Sequence, residues 1–142
     1  MYELKRGARI KEEIKIGDDV IVIDLDAEMI AVEYNKRYND IIRAEQAVKK
    51  AQEAEGDDKT EIFNAYGVAV ARLFGLIFGD DNAEKIINFY EHRFFEMTLE
   101  VFPFITDVVQ PALSKALDEI RAKSESKYNQ KQPFSLRNSL RR

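Results

Sequence analysis

The stretch AYGVAVARLFGLIF, residues 65–78, is apolar on almost every side of a helix. A surface helix carries one apolar stripe, whereas a helix that is apolar all round is buried. We therefore predict a helix that starts near Lys59 and lies at the centre of the core. Asp58 and Glu61 have the spacing of a capping box at its start. Gly79 suits its end because glycine accepts a positive φ.

Before this central helix, apolar residues recur every three or four positions between Ile30 and Ala51. This spacing places them on one side of a helix. Asp26 suits the N-cap because its carboxylate can accept hydrogen bonds from backbone N–H groups. The sequence therefore predicts a helix from Asp26 to about Ala54.

Residues 10–25 have the pattern of a β-hairpin. In the first half, Ile10, Ile14 and Ile16 share one parity and alternate with charged residues. The second half is the β-branched run Val20–Ile23, which favours a strand, and a Gly-Asp-Asp turn separates the halves. Because two strands alone are marginally stable in water, we expect the hairpin to pack on a helix or to pair with another chain.

The sequence that follows the central helix predicts a third helix. Asp81 is expected to cap it, with Glu84 three residues further on. Its apolar residues run from Ile86 to Val101. Proline lacks a backbone N–H and clashes with the preceding turn, so Pro103 cannot continue the helix without a kink.

A fourth helix is predicted from the apolar residues that recur between Ile105 and Ile120. Pro111 lies inside this pattern, so we expect the helix to start at Gln110 or later. The periodicity stops near Ser124, and the helix is expected to end there.

The 142 residues suit one domain. We predict a mainly α-helical domain, residues 1–124, in which the N-terminal β-hairpin precedes a bundle of about four helices. Residues 125–142 are predicted to form a flexible basic tail. Residues 121–142 carry seven basic side chains and one acidic one, a balance of +6, whereas residues 1–120 carry fifteen and twenty-five, a balance of −10. The tail is either a solubilising terminus or an arm for an acidic partner.

The composition limits where and how this chain can act. Apolar residues make up 45% of the chain and charged residues 34%, which is enough for a folded core. No run of apolar residues approaches the roughly 20 that span a membrane, and the N-terminus lacks the apolar segment of a signal peptide. Cysteine is absent, which excludes disulfides and thiolate chemistry and fits the cytoplasm.

The residues that could carry catalysis are few. His92 is the single histidine, so histidine-rich zinc sites and paired Glu-x-x-His sites are impossible, and no Gly-x-Ser-x-Gly accompanies it. Asp24-Leu25-Asp26 and Asp80-Asp81-Asn82 could offer oxygen ligands to Mg²⁺ or Ca²⁺, but helix capping accounts for both. We therefore expect no enzyme activity, no cofactor and no metal site.

Aromatic residues are dense, with nine Phe and six Tyr. They form either a thick core or a surface for a partner or for self-association, because exposed aromatic clusters mark interfaces. Both interpretations hold if one of two adjacent phenylalanines faces inward and the other outward. Six candidate partner-binding residues crowd one stretch: Phe89, Tyr90, Phe94, Phe95, Phe102 and Phe104.

Four segments are similar to those of a known family. They are the run from Ile77 to Ile87, then Phe89-Tyr90-Glu91, Phe102-Pro103-Phe104-Ile105 and Val108-Val109-Gln110-Pro111. Together with the preceding hairpin, this order resembles the tail assembly chaperones of long-tailed phages and prophages of Gram-positive bacteria. The resemblance covers roughly residues 10–120 and rests on packing and capping patterns.

The resemblance implies a role in phage tail assembly in the cytoplasm of the bacterial host. Members of this family coat the tape measure protein, keep its long apolar helices soluble and help recruit the tail tube protein. They often self-associate, and they have no catalytic residues.

Three other functions compete with this one. A nucleic-acid-associated phage regulatory protein could use the basic tail, although the acidic body would repel nucleic acid. A metal-dependent enzyme could be built on Asp and Glu. The chain could also be another phage structural or interaction protein. No membrane partner is expected.

Overall fold

The computed structural model describes residues 1–4, 9–54 and 59–131. The chain is mainly helical, 75%, and an N-terminal antiparallel hairpin precedes the helices, which confirms the predicted fold class. The elements are β1 (Arg9–Ile16), β2 (Asp19–Asp26), α1 (Ala27–Glu53), α2 (Thr60–Phe78), α3 (Asp80–Phe89), α4 (Phe94–Phe104), a π-helical segment (Ile105–Val109) and α5 (Gln110–Lys131).

The hairpin pairs in a register that places its apolar residues on one face. Ile10 lies opposite Leu25 and Ile14 opposite Ile21, and Ile10, Ile21 and Leu25 are buried in the core. Gly17 turns the chain with a φ of +58°, which glycine adopts without steric cost. The hairpin packs on helices, as expected: β2 contacts α1 and α2, and β1 contacts α5.

Asp26 caps α1 as predicted. Its carboxylate accepts hydrogen bonds from the backbone N–H groups of Glu28 and Met29, at 3.1 and 3.3 Å. These bonds satisfy donors that have no partner inside the helix. The helix ends at Glu53, one residue from the predicted end, and its buried residues follow the predicted stripe: Ile30, Tyr34, Ile41, Val48 and Ala51.

Helix α2 lies at the centre of the core, as its composition predicts. Val70, Leu73 and Phe74 have no exposed surface, and Gly79 follows the helix with a φ of +84°. Asp58, the predicted cap, lies outside the described residues. Among the described helices, α2 is long and apolar enough to cross a membrane by length and composition, contrary to expectation. The central helix of a soluble protein has the same properties.

The predicted third helix is wrong at both ends. Asp81 does not cap it, because the helix already begins at Asp80 and Asp81 lies in its first turn. There a carboxylate still interacts favourably with the helix dipole. The helix also ends at Phe89, and a turn at 90–93 separates it from α4. No local signal marks this break, because the turn contains no glycine or proline and the apolar spacing continues across it.

Pro103 lies in the last turn of α4, and α5 begins at Gln110, as predicted. One continuous helical segment runs from α4 through the π-helical residues into α5, and Pro103 lies inside it. Pro103 has no N–H with which to bond the carbonyl of Leu99, four residues earlier. The π turn directly precedes Pro111, where the Gln110 N–H bonds the carbonyl of Ile105. The wider turn gives the proline ring room.

Helix α5 continues to Lys131, seven residues beyond the predicted end at Ser124. Residues 121–126 are all exposed. A helical turn that contacts no core needs no apolar stripe, so periodicity marks only the packed part of the helix. The predicted helix end at Ser124 is therefore too early, since 125–131 are helical, and the rest of the predicted tail, 132–142, lies outside the described residues.

Replacing Phe74 with alanine should destabilise the fold by roughly 3–5 kcal/mol, since a buried aromatic is lost and a cavity remains. Phe74 is fully buried and its ring contacts Phe78 and Phe102. Urea unfolding measures the change. Val32→Ala, at a position 78% exposed on α1, is the control and should change stability by less than about 0.5 kcal/mol. A Phe74→Ala effect as small as the control would contradict the central position of α2.

The Tyr34 hydroxyl predicts a loss of stability in alkali. Burial raises the pKa of Tyr34 to about 12, and its hydroxyl donates to Gln110 Oε1 at 3.4 Å. A phenol whose pKa is raised by folding contributes stability that is lost as the pH rises from about 10 towards the folded pKa. The advantage of wild type over Tyr34→Phe should therefore shrink between roughly pH 9 and pH 11. Urea unfolding at both pH values tests this, and an unchanged difference would refute it.

A candidate partner-binding groove

Helix α4 has a second apolar side that faces away from the core. Met97 and Val101 are buried, whereas Phe95 and Leu99 remain 44% and 79% exposed. Residues four apart lie above one another on the same side of a helix. The two exposed side chains therefore form one apolar ridge along α4.

One groove lies between this ridge and the second half of α1, and we call it the α1–α4 groove. It has a volume of about 590 Å³. Val48 and Gln52 line it from α1, and Leu99, Phe102 and Pro103 line it from α4. Two helices therefore form its walls, and its surface is largely apolar.

A second groove lies on the other side of Phe95, and we call it the α2–α4 groove. It has a volume of about 1070 Å³. Phe63, Gly67 and Val68 line it from α2, and His92 and Phe94 line the opposite side. Gly67 contributes to its shape, because a Cβ atom there would lie 2.9 Å from the Phe94 ring.

Phe95 and Tyr66 line both grooves and form the boundary between them. Their rings are stacked with centroids 4.8 Å apart. The Thr98 hydroxyl donates to the Phe95 carbonyl at 3.0 Å and pairs with the Tyr66 hydroxyl at 3.1 Å. Burial raises the pKa of Tyr66, so its hydroxyl stays protonated at neutral pH. These contacts hold the exposed Phe95 ring in place.

Charged side chains stand at the edges of the grooves. Lys49 and Glu45 form an ion pair at 3.3 Å beside the α1–α4 groove, and Asp107 lines its far end. Arg93 and Glu96 pair at 3.8 Å beside the α2–α4 groove. Both signs are therefore available around an apolar centre, which is the arrangement of many protein interfaces.

The six aromatic candidates separate into two groups. Phe94, Phe95 and Phe102 come together at the grooves. The other three do not: Phe89 is exposed beside the hairpin turn, Tyr90 contacts Phe89, and Phe104 stacks on Phe78 in the core. Of the adjacent pair, Phe94 is partly buried and Phe95 is exposed, and in this arrangement the core and interface interpretations are compatible.

Sequence reasoning missed Leu99, the most exposed apolar residue of the grooves. Its position was readable, because Phe95, Leu99 and Phe102 have the spacing of one helical side. Tyr66 and Val48 lie in the two stretches that were predicted to pack in the core, 65–78 and 30–51. Each is buried and still lines a groove. A residue at the floor of an open groove cannot be distinguished from a core residue by spacing alone.

Across 1–4, 9–54 and 59–131, no three side chains of the metal-binding types His, Asp and Glu come together. His92 is exposed, and its ring lies 6.2 Å from that of Phe94. The surface of both grooves is mainly apolar, with charged side chains at the edges.

No family model, curated protein or solved structure matches this chain.

The contact between Gly67 and Phe94 predicts opposite effects for two alanine substitutions in α2. Gly67→Ala should destabilise by about 1–3 kcal/mol, because its methyl group meets three atoms of the Phe94 ring within 3.2 Å. Gly75→Ala meets only the carboxylate end of Asp80, which can move. It should stabilise by up to about 1 kcal/mol through helix propensity. Urea unfolding of both variants tests this, and equal effects would show that Phe94 does not pack on Gly67.

Proposed function

We propose that this chain binds an apolar helix of a partner protein along α4, and that it acts as a tail assembly chaperone. The observation that carries this proposal is the ridge of Phe95 and Leu99, which stands exposed between two open grooves. Leaving a leucine 79% exposed beside a large apolar surface is unfavourable in water. A partner that covers it gains that free energy.

The dimensions of the α1–α4 groove suit a helix. The wall formed by α4 and the π-helical segment runs from Phe95 to Asp107, which is about 18 Å at 1.5 Å per residue. Three turns of a partner helix span a similar length, and an amphipathic helix docks in such a groove through apolar residues at spacings of three and four. The stacked Phe95 is already held in place, so binding has little rotamer freedom left to remove there.

The charged edges support recognition of a chain with both signs of charge. Lys49 and Glu45 on one side and Asp107 on the other could meet complementary residues that flank the apolar side of a partner helix. Such exposed pairs affect specificity and rate of association more than affinity. The affinity is expected to come from the apolar centre.

The identity of the partner comes from the resemblance to tail assembly chaperones. It points to the tape measure protein, whose long apolar helices need cover before the tail assembles, and to the tail tube protein as a second partner. The setting is the cytoplasm of a bacterial host. Binding without chemistry also agrees with the sparse set of catalytic side chains in the sequence.

Leu99→Glu should weaken binding to a helical segment of the tape measure protein from the same genome by roughly tenfold or more. A carboxylate at the centre of the ridge would have to lose water on binding. The matched control is Val32→Glu, since Val32 is 78% exposed on α1 and does not line either groove. Isothermal titration calorimetry with both variants measures the affinities.

Wild-type affinity should be retained by Val32→Glu. Absence of binding by the wild-type chain at micromolar protein would contradict the chaperone function. Equal weakening by the two substitutions would instead place the binding surface away from α4.

A further inference from the structure

The turn between α3 and α4 is a helix end of unusual composition. The Glu91 N–H donates to the carbonyl of Asn88, and the His92 N–H donates to that of Ile87, both at 3.0 Å. These two bonds define a Schellman motif, in which the residue after the C-cap adopts the left-handed conformation and is usually glycine. Here that residue is Glu91, with a φ of +54°.

The residue that follows is strained in the same way. His92 has a φ of +64°, and it and Glu91 are the only residues other than glycine with positive φ in the described part of the chain. Left-handed backbone is costly for a residue with a Cβ atom, and two in succession are rarer still. Conversion of both residues to right-handed helix would relieve this strain.

The sequence around the turn is compatible with an uninterrupted helix. Tyr90-Glu91-His92-Arg93 contains no glycine or proline. The buried residues of α3 and α4 also continue one stripe, with Tyr90 and Phe94 partly buried between them. The steps along this stripe are three or four residues throughout: Ala83, Ile86, Tyr90, Phe94, Met97 and Val101.

Residues 94–131, which we call the arm, pack mainly on parts of the chain that precede the turn. Phe102 contacts Phe74 of α2, Thr98 bonds Tyr66 of α2, and Gln110 bonds Tyr34 of α1. None of these contacts needs the arm and the body to belong to the same molecule. A second copy could supply either side with identical geometry.

We propose that residues 90–93 are a hinge for exchange of the arm between two copies of this chain. When the hinge becomes helical, α3, α4 and α5 join into one helix from Asp80 to Lys131, about 78 Å long. Each arm then packs on the body of the other copy. Short, strained hinges favour such exchange, because the open form relieves the strain and keeps the contacts between arm and body.

This exchange changes the composition of the candidate grooves, and it also reshapes the α2–α4 groove, which hinge residues His92 and Arg93 line. The α1–α4 and α2–α4 grooves each have one wall in the body and one in the arm. In the exchanged dimer both grooves would therefore form between two copies. The inference does not depend on what the grooves bind.

Two cysteines introduced across the α1–α4 groove distinguish exchange from ordinary association. The chain has no cysteine of its own, so Lys49→Cys and Asp107→Cys would be its only thiols. Both positions line the groove, one in the body and one in the arm. The full chain with both substitutions is refolded from urea at millimolar and at micromolar concentration, and a short bifunctional maleimide then joins neighbouring thiols.

We expect refolding at high concentration to give dimers by light scattering, and these dimers to stay covalently linked on a denaturing gel. Monomers should be linked only within the chain. Dimers that separate on the gel after complete reaction, as side-by-side association would produce, would overturn the proposal. So would the absence of dimers at millimolar protein.

The double substitution Glu91→Gly/His92→Gly tests the hinge itself. Glycine accepts the left-handed turn and disfavours a continuous helix, so the dimer fraction should fall by roughly tenfold or more. Asp118→Gly/Glu119→Gly, at exposed positions of α5, controls for a general loss of helix stability. This control should not reduce the dimer fraction. An equal dimer fraction in both double variants would contradict the role of residues 90–93.

Discussion

The burial of α2 is the constraint on which the other elements depend. This helix is mostly apolar, so its apolar sides need cover. Val70, Leu73 and Phe74 are fully buried, whereas Val68 on another side remains 50% exposed. Helix α1, strand β2 of the hairpin, α3 and α4 all contact α2. The hairpin in turn becomes stable because α2 completes the layer that two strands cannot form alone. Strand β2 and helices α1, α3 and α4 therefore gain stability from contact with one central helix, and α5 packs on α1 and β1.

The candidate site follows from how α4 meets this centre. A helix with one apolar stripe is fully used when it packs on a core, but α4 carries apolar residues on two sides. Met97 and Val101 pack inward, while Phe95 and Leu99 stand outside between α1 and α2. Stacking on Tyr66 fixes the outer aromatic ring in place. The same contacts that anchor α4 to the core thus present an ordered apolar surface to solvent.

Much of this fold was readable from the sequence, because local signals and burial agree there. The composition of 65–78 placed α2, alternation placed the hairpin, and Asp26 marked the start of α1. The single long third helix was wrong because tertiary packing overrode a local signal: the turn at 90–93 forms without glycine, inside an apolar stripe that continues across it. For the site, the density of aromatics located the region but not the ridge, since Leu99 belongs to no aromatic cluster and exposure depends on how far α1 stands from α4.

The central claim is that the outer side of α4 is a binding surface for a partner helix. Backbone amide hydrogen exchange, measured with and without a helical segment of the tape measure protein, maps that surface residue by residue. Binding should slow exchange in α4 and in the facing half of α1, and should leave the hairpin unchanged. Protection confined to the hairpin, whose outer face exposes Val20 and Val22, or no protection at saturating peptide, would contradict the account.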